Sequence, residues 1–228
     1  MSNSEEHGFC ASWLVGQVLP GESRAALLRR AKWTPGDRIE VSFLDGSPSL
    51  HARVKRFAQE WTAPGMANLE LVFRSGVAST PIRISFRYRG YWSAIGTECF
   101  LIQDRMQPTM NYGGFTDATP DAEVRRVVLH EFGHALGLIH EHQSPAAGIR
   151  WNEQQVYKDL SGPPNRWDPE TIYRNVLAVQ ADTNYTEFDR RSIMIYPIPA
   201  SWTLDGFSVG WTSELSPTDR SFIRQQYP

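Results

Sequence analysis

Hydrophobic and polar positions change period along the chain, and each change marks an element. Ile39, Val41 and Phe43 alternate with polar residues, the period of a half-buried strand, and Asp45-Gly46 ends the run. Ser47-Pro48 then opens a helix, with Ser as its cap and Pro at the first helical position. Leu50, Val54, Phe57, Ala58 and Trp61 fall on one face of that helix, and Pro64-Gly65 stops it. Alternation returns at Leu69, Leu71 and Phe73 and again at Ile82, Ile84 and Phe86, and a further short strand is predicted over Thr109–Tyr112. Thr119-Pro120-Asp121 opens a second long helix that runs through Val124, Val127 and Val128 towards Gly137. Beyond residue 142 the periodicity weakens. Short helices are predicted near Asn152–Leu160 and Pro169–Leu177, and a last one runs from Ser216-Pro217-Thr218-Asp219 to Gln226. A short basic helix around Glu22–Lys32 precedes the turn Thr34-Pro35-Gly36-Asp37.

Strands and long helices thus occupy the first half, and loops with short helices the second. That order predicts an α+β fold. The 228 residues are enough to bury a core without staples, and 41% hydrophobic with 21% charged residues is a globular mixture. A net charge of −2 supplies no field for nucleic acid or an anionic membrane. No run of apolar residues is long enough to span a bilayer, and the acidic, Lys/Arg-free start Met1–His7 lacks the basic opening of a secretory signal. The expected location is therefore cytoplasmic, and the expected state a monomer. Cys10 and Cys99 form no disulfide framework; one bridge and two free thiols are both compatible with the count.

The chemistry concentrates in His130-Glu131-Phe132-Gly133-His134-Ala135-Leu136-Gly137-Leu138-Ile139-His140. At about 100° per residue, His130 and His134 lie about 40° apart on a helix, one turn above the other. Both imidazoles can reach one ion, and zinc suits neutral histidine nitrogen. His140 is too far round to share that face, so the helix must break, and Gly137 can take the positive φ that turns the chain. Three protein ligands leave a fourth position for water, the arrangement of a catalytic zinc site. Glu131 is offset by about 100° from His130, so it is placed to take a proton from that water rather than to bind the metal. The expected cofactor is one Zn2+, and the expected partner a peptide or protein substrate. His142 is off the ligand spacing and is expected at the surface or behind the ligands; His51 is expected to be solvated, and His7 lies in the opening segment.

The pattern His130-Glu131-x-x-His134-x-x-Gly137-x-x-His140 resembles the zinc signature of the metzincin peptidases. Ser192-Ile193-Met194-Ile195-Tyr196 is similar to that group's methionine turn, which implies that Met194 packs beneath the histidines. Glu141 directly after the third histidine, and Tyr196 two residues after Met194, resemble the astacin family in particular. The resemblance implies a two-lobed catalytic domain over residues 33–228. Its N-terminal lobe, 33–137, would hold a twisted mixed sheet and two long helices; its C-terminal lobe, 138–228, would be mostly irregular and helical. Residues 1–32 would be an extension of pro-segment type. The implied activity is zinc-dependent endopeptidase, with Tyr196 donating a hydrogen bond to the tetrahedral oxyanion and a buried amino terminus pairing with the glutamate at position 141. Ile195 stands where the family usually has His, and the lobe-linking disulfides of secreted members have no counterpart, which fits a leaderless relative.

Three points stay open in the residues. Thr109, Met110, Asn111, Tyr112 and Gly113 match the family's substrate-binding edge strand, or form an ordinary edge strand. Cys10 is either a thiolate that takes the water position on zinc and keeps the chain latent, or a small buried hydrophobe. The same site chemistry would serve a dedicated amidase or maturation protease acting on one peptide-like product or partner. A zinc-stabilised binding module would not need Glu131.

Overall fold

A computed structural model describes residues 27–76, 79–179, 183–184 and 186–228. Cys10 and His7 lie outside the described residues. The first half of the chain is built on a five-stranded sheet: β2 (Arg38–Phe43), β3 (Glu70–Phe73), β4 (Ile82–Ser85), β5 (Tyr91–Ser93) and β6 (Met110–Tyr112), in the order β3-β2-β4-β6-β5. The first four of that order run parallel, and β5 pairs antiparallel with β6. Parallel strands are covered by helices, which is why Ile39, Val41, Ile82 and Ile84 are all buried. β1 (Leu27–Leu28) pairs antiparallel with β7 (Thr183–Asn184), in a separate two-stranded ribbon that joins the start of the described chain to its second half.

The covering helices are α1 (Pro48–Ala58) and α2 (Asp121–Ala135). Ser47 caps α1 through a hydrogen bond from the Leu50 N–H at 3.1 Å, and Leu50, Val54, Phe57 and Ala58 form its buried face. A 3-10 turn at Gln59–Thr62 follows and buries Trp61, whose indole N–H donates to the Leu129 carbonyl of α2 at 2.9 Å. A net hydrogen bond contributes about 1 kcal/mol, whereas a fully buried large apolar side chain contributes ~1.5–3 kcal/mol. Packing of Trp61, Val54, Val124 and Val128 in one cluster therefore dominates the clamp between the helices, and the indole bond sets its register.

The second half of the chain carries α3 (Glu153–Ser161), α4 (Pro169–Ile172) continued by a π-turn at Tyr173–Leu177, and α5 (Pro217–Gln226). Its own cluster joins Val156, Leu160, Ile172, Val176 and Trp202 to Tyr196. The α+β class, the mixed sheet and the two long helices follow the sequence expectation.

Three expectations need correction. Over its described part, the helix predicted at Glu22–Lys32 is β1 followed by a 3-10 turn at Arg29–Ala31. Local propensity is overridden there by pairing with β7 and by the Arg30–Glu98 ion pair at 2.9 Å. Thr109–Gly113 is not an edge: β6 is hydrogen-bonded to β4 on one side and β5 on the other, and Met110, Asn111 and Tyr112 are buried. The edge position belongs to β5. His51 is half-buried, stacked on Phe43 with ring centroids 3.9 Å apart.

Candidate metal centre and cleft

The active geometry is set by how α2 ends. Gly137 has φ of 94°, a left-handed conformation that glycine adopts without penalty. Its N–H donates to the His134 carbonyl at 2.8 Å, and the Leu138 N–H reaches back to the Gly133 carbonyl at 2.9 Å, the paired bonds of a Schellman stop. Two further carbonyls at this end are met from distant parts of the chain. The Trp33 indole N–H donates to the Ala135 carbonyl at 2.8 Å, and the Tyr227 hydroxyl to the Leu136 carbonyl at 2.6 Å. A buried helix end with unmet carbonyls would be unstable; here both ends of the described chain hold the helix that carries the histidines. Neither Trp33 nor Tyr227 was singled out from sequence, because a capping partner about a hundred residues away leaves no local pattern.

The turn brings His140 back to His134, with the two Nε2 atoms 3.1 Å apart. The ligand nitrogens of His130, His134 and His140 all lie within 4.8 Å of one another. Two nitrogens bound to zinc at about 2.0–2.1 Å with tetrahedral angles would sit about 3.3 Å apart, so the donor set fits the ion. The ring orientations are held from behind. His130 Nδ1 lies 2.8 Å from the Ile193 carbonyl, and His134 Nδ1 lies 2.9 Å from the Leu138 carbonyl. Each Nδ1–H therefore donates to a carbonyl, which leaves Nε2 as the lone-pair donor. Among the described residues, the buried His130 Nε2 has no hydrogen-bond partner, which suits a metal-ligand atom. Burial also keeps the rings neutral: it lowers His134 to about 4, and burial together with the neighbouring imidazoles holds His130 and His140 well below the ordinary value.

Glu131 is completely buried on α2. A cleft cavity of about 350 Å³ opens beside it, lined by His130, Tyr196, Val127 and Ile193, with Tyr91 of β5 and Trp211 among its other walls. Tyr196 is buried, its ring 4.1 Å from that of His140. Met194 packs under α2: a Cβ at Gly133 would overlap its sulfur, so that position must be glycine for the two segments to meet. His142 is buried rather than at the surface. Its ring stacks 5.2 Å from His140 and lies tilted 4.8 Å from Tyr196, and Nε2 lies 3.0 Å from the Asn175 carbonyl. Glu141 accepts from the Asp189 N–H at 2.9 Å, and burial raises it to about 7. With Asp189 and Asp219 it lines a second cavity of about 340 Å³ behind Met194.

Neither a family model nor a curated protein matches the chain. Solved structures do. A structure of myroilysin is 40% identical with a TM-score of 0.84, covering 90% of this chain and 98% of that one. A crystal structure of myroilysin is 37% identical with a TM-score of 0.71, covering 100% and 93%. A hatching-enzyme zinc protease of the medaka fish Oryzias latipes is 16% identical, TM-score 0.51, over 91% and 96%, a likeness of fold.

Proposed function

The chain belongs to the astacin-like metzincin zinc proteases, and from that premise we propose that Glu131 is its general base and Tyr196 its oxyanion donor. The chain is a zinc endopeptidase acting on peptide or protein substrates. The observation that carries the residue roles is the cleft itself. His130, one of three converging histidines, the fully buried Glu131 carboxylate and Tyr196 line one cavity. A zinc ion would be held by His130, His134 and His140, where it would supply a water acidified to about 7. Glu131 is placed to accept a proton from water adding to the scissile carbonyl and to return it to the departing amine. Tyr196 donates to the oxygen that gains charge on the substrate.

Substrate is proposed to lie along β5, not β6. Among the described residues β5 is the last strand of the sheet, so its outer edge can pair with an extended peptide, and Tyr91 brings it to the cavity wall beside His130 and Glu131. A peptide library with both termini blocked tests the endopeptidase reading. Internal cuts across many sequences are expected. Cutting of no library member, with turnover confined to one dedicated product or partner, would favour the specialised amidase instead.

Tyr196→Phe removes only the hydroxyl. Losing one oxyanion donor costs on the order of 10²-fold in kcat, so kcat is expected to fall by that order with KM and zinc content unchanged. A turnover number equal to the parent enzyme's would remove the phenol from the mechanism.

A further inference from the structure

We infer that Asp219 is a positioning residue for the metal centre, holding His130 through a relay of one hydroxyl and one peptide unit. Asp219 belongs to the capping box of α5, where it accepts from the Ser216 N–H at 2.9 Å while the Ser216 hydroxyl accepts from the Asp219 N–H at 2.9 Å. A cap requires no more than that. Yet the carboxylate, 7% exposed, also accepts from the Ser192 hydroxyl at 2.7 Å and the Ile193 N–H at 2.8 Å, both in the segment that carries Met194. Burying a carboxylate is costly unless its oxygens are met by donors. Two of its three donors come from beside the metal centre rather than from the helix it caps.

The bonds run in one direction. His130 Nδ1–H donates to the Ile193 carbonyl at 2.8 Å. The same peptide unit offers the Met194 N–H, which donates to the Ser192 hydroxyl oxygen at 3.1 Å. The Ser192 hydroxyl donates to Asp219 Oδ1. Each link polarises the next, so the buried charge strengthens acceptance from His130 and makes its Nε2 a better donor to a cation. The arrangement does the work of a carboxylate bonded directly to a ligand histidine, from the far side of a chain turn.

This inference rests on the zinc reading of the three histidines, and the two can fail separately. Zinc dissociation constants of the folded full chain are measured by competition with a chromogenic chelator, alongside the visible spectrum of the cobalt-substituted protein. No zinc binding by the parent chain would sink the zinc reading itself. Asp219→Asn is expected to raise the zinc dissociation constant about 10–100-fold, to shift the cobalt bands, and to leave KM within about twofold, since the outer-shell change affects the ligand set and not the substrate walls. Ser216→Ala removes the cap and leaves the relay, so it should lower the melting temperature with zinc affinity unchanged. If Asp219→Asn melts earlier but binds zinc and cobalt as the parent does, Asp219 is a cap alone and the inference is overturned. Should that variant not fold, Ser192→Ala cuts the same relay at the hydroxyl. A severalfold weaker zinc site then supports the relay, and an unchanged one overturns it.

Discussion

Stripping the metal with a chelator is expected to abolish peptide hydrolysis and to lower the melting temperature by on the order of 10 °C. A ligand present at a thousand times its dissociation constant stabilises the folded state by about 4 kcal/mol, and each kcal/mol moves the midpoint of a domain this size by about 2–4 °C. The metal-free protein should itself lose stability in acid. His134 and His142 are pushed down to about 4 by burial, and His130 and His140 are held well below their ordinary value. In the unfolded chain a histidine takes up its proton near 6.5. Between that value and about 4 the unfolded state therefore binds more protons than the folded one, and stability falls as pH falls. Glu141, raised to about 7, works in the opposite sense: its contribution is lost as pH rises from the ordinary carboxylate value towards 7. Four buried histidines outweigh the two carboxylates that burial raises, Glu141 and Asp219, so the metal-free protein should melt lower at pH 5 than at pH 7.5. Calorimetry with and without chelator at both values measures this. A midpoint indifferent to the chelator would mean that the histidines hold no structural ion.

The catalytic helix was readable in advance because its information is local. Ligand spacing, the breaking glycine and the adjacent carboxylate all lie within residues 130–140, and helix geometry alone relates them. Strands β2, β3 and β4 were readable for a similar reason, since each shows alternation inside its own span. What escaped the sequence was what depends on partners far along the chain. β5 is three residues long and shows no alternation; the one local signal was the aromatic pair Tyr91-Trp92 directly after Gly90. Without β5, β6 reads as the border of the sheet, whereas it is paired on both sides. Trp33 and Tyr227 carry no local signal of their role, yet their polar atoms finish the helix that holds the ligands. Asp219 reads as a helix cap, and only the folded chain shows two of its bonds crossing to Ser192 and Ile193.

Glu131→Gln should lower kcat by about 10²–10⁴-fold, the range for a positioned general base, while zinc content and KM stay near the parent values. The substitution preserves the volume of the side chain and removes its capacity to take a proton. Glu131 is fully buried, so its charge carries a desolvation cost that the neutral amide does not. The variant is therefore expected to melt no lower than the parent, which separates a chemical role from a structural one. Offset by about a quarter turn from His130 on α2, the side chain is not required for the ligand set, so metal analysis should still find one zinc per chain. Loss of activity with the metal retained is the signature of a base acting beside the ion. Loss of both would make Glu131 part of the ligand scaffold instead, and turnover equal to the parent's would remove it from the reaction, leaving the cleft to work with some other proton acceptor.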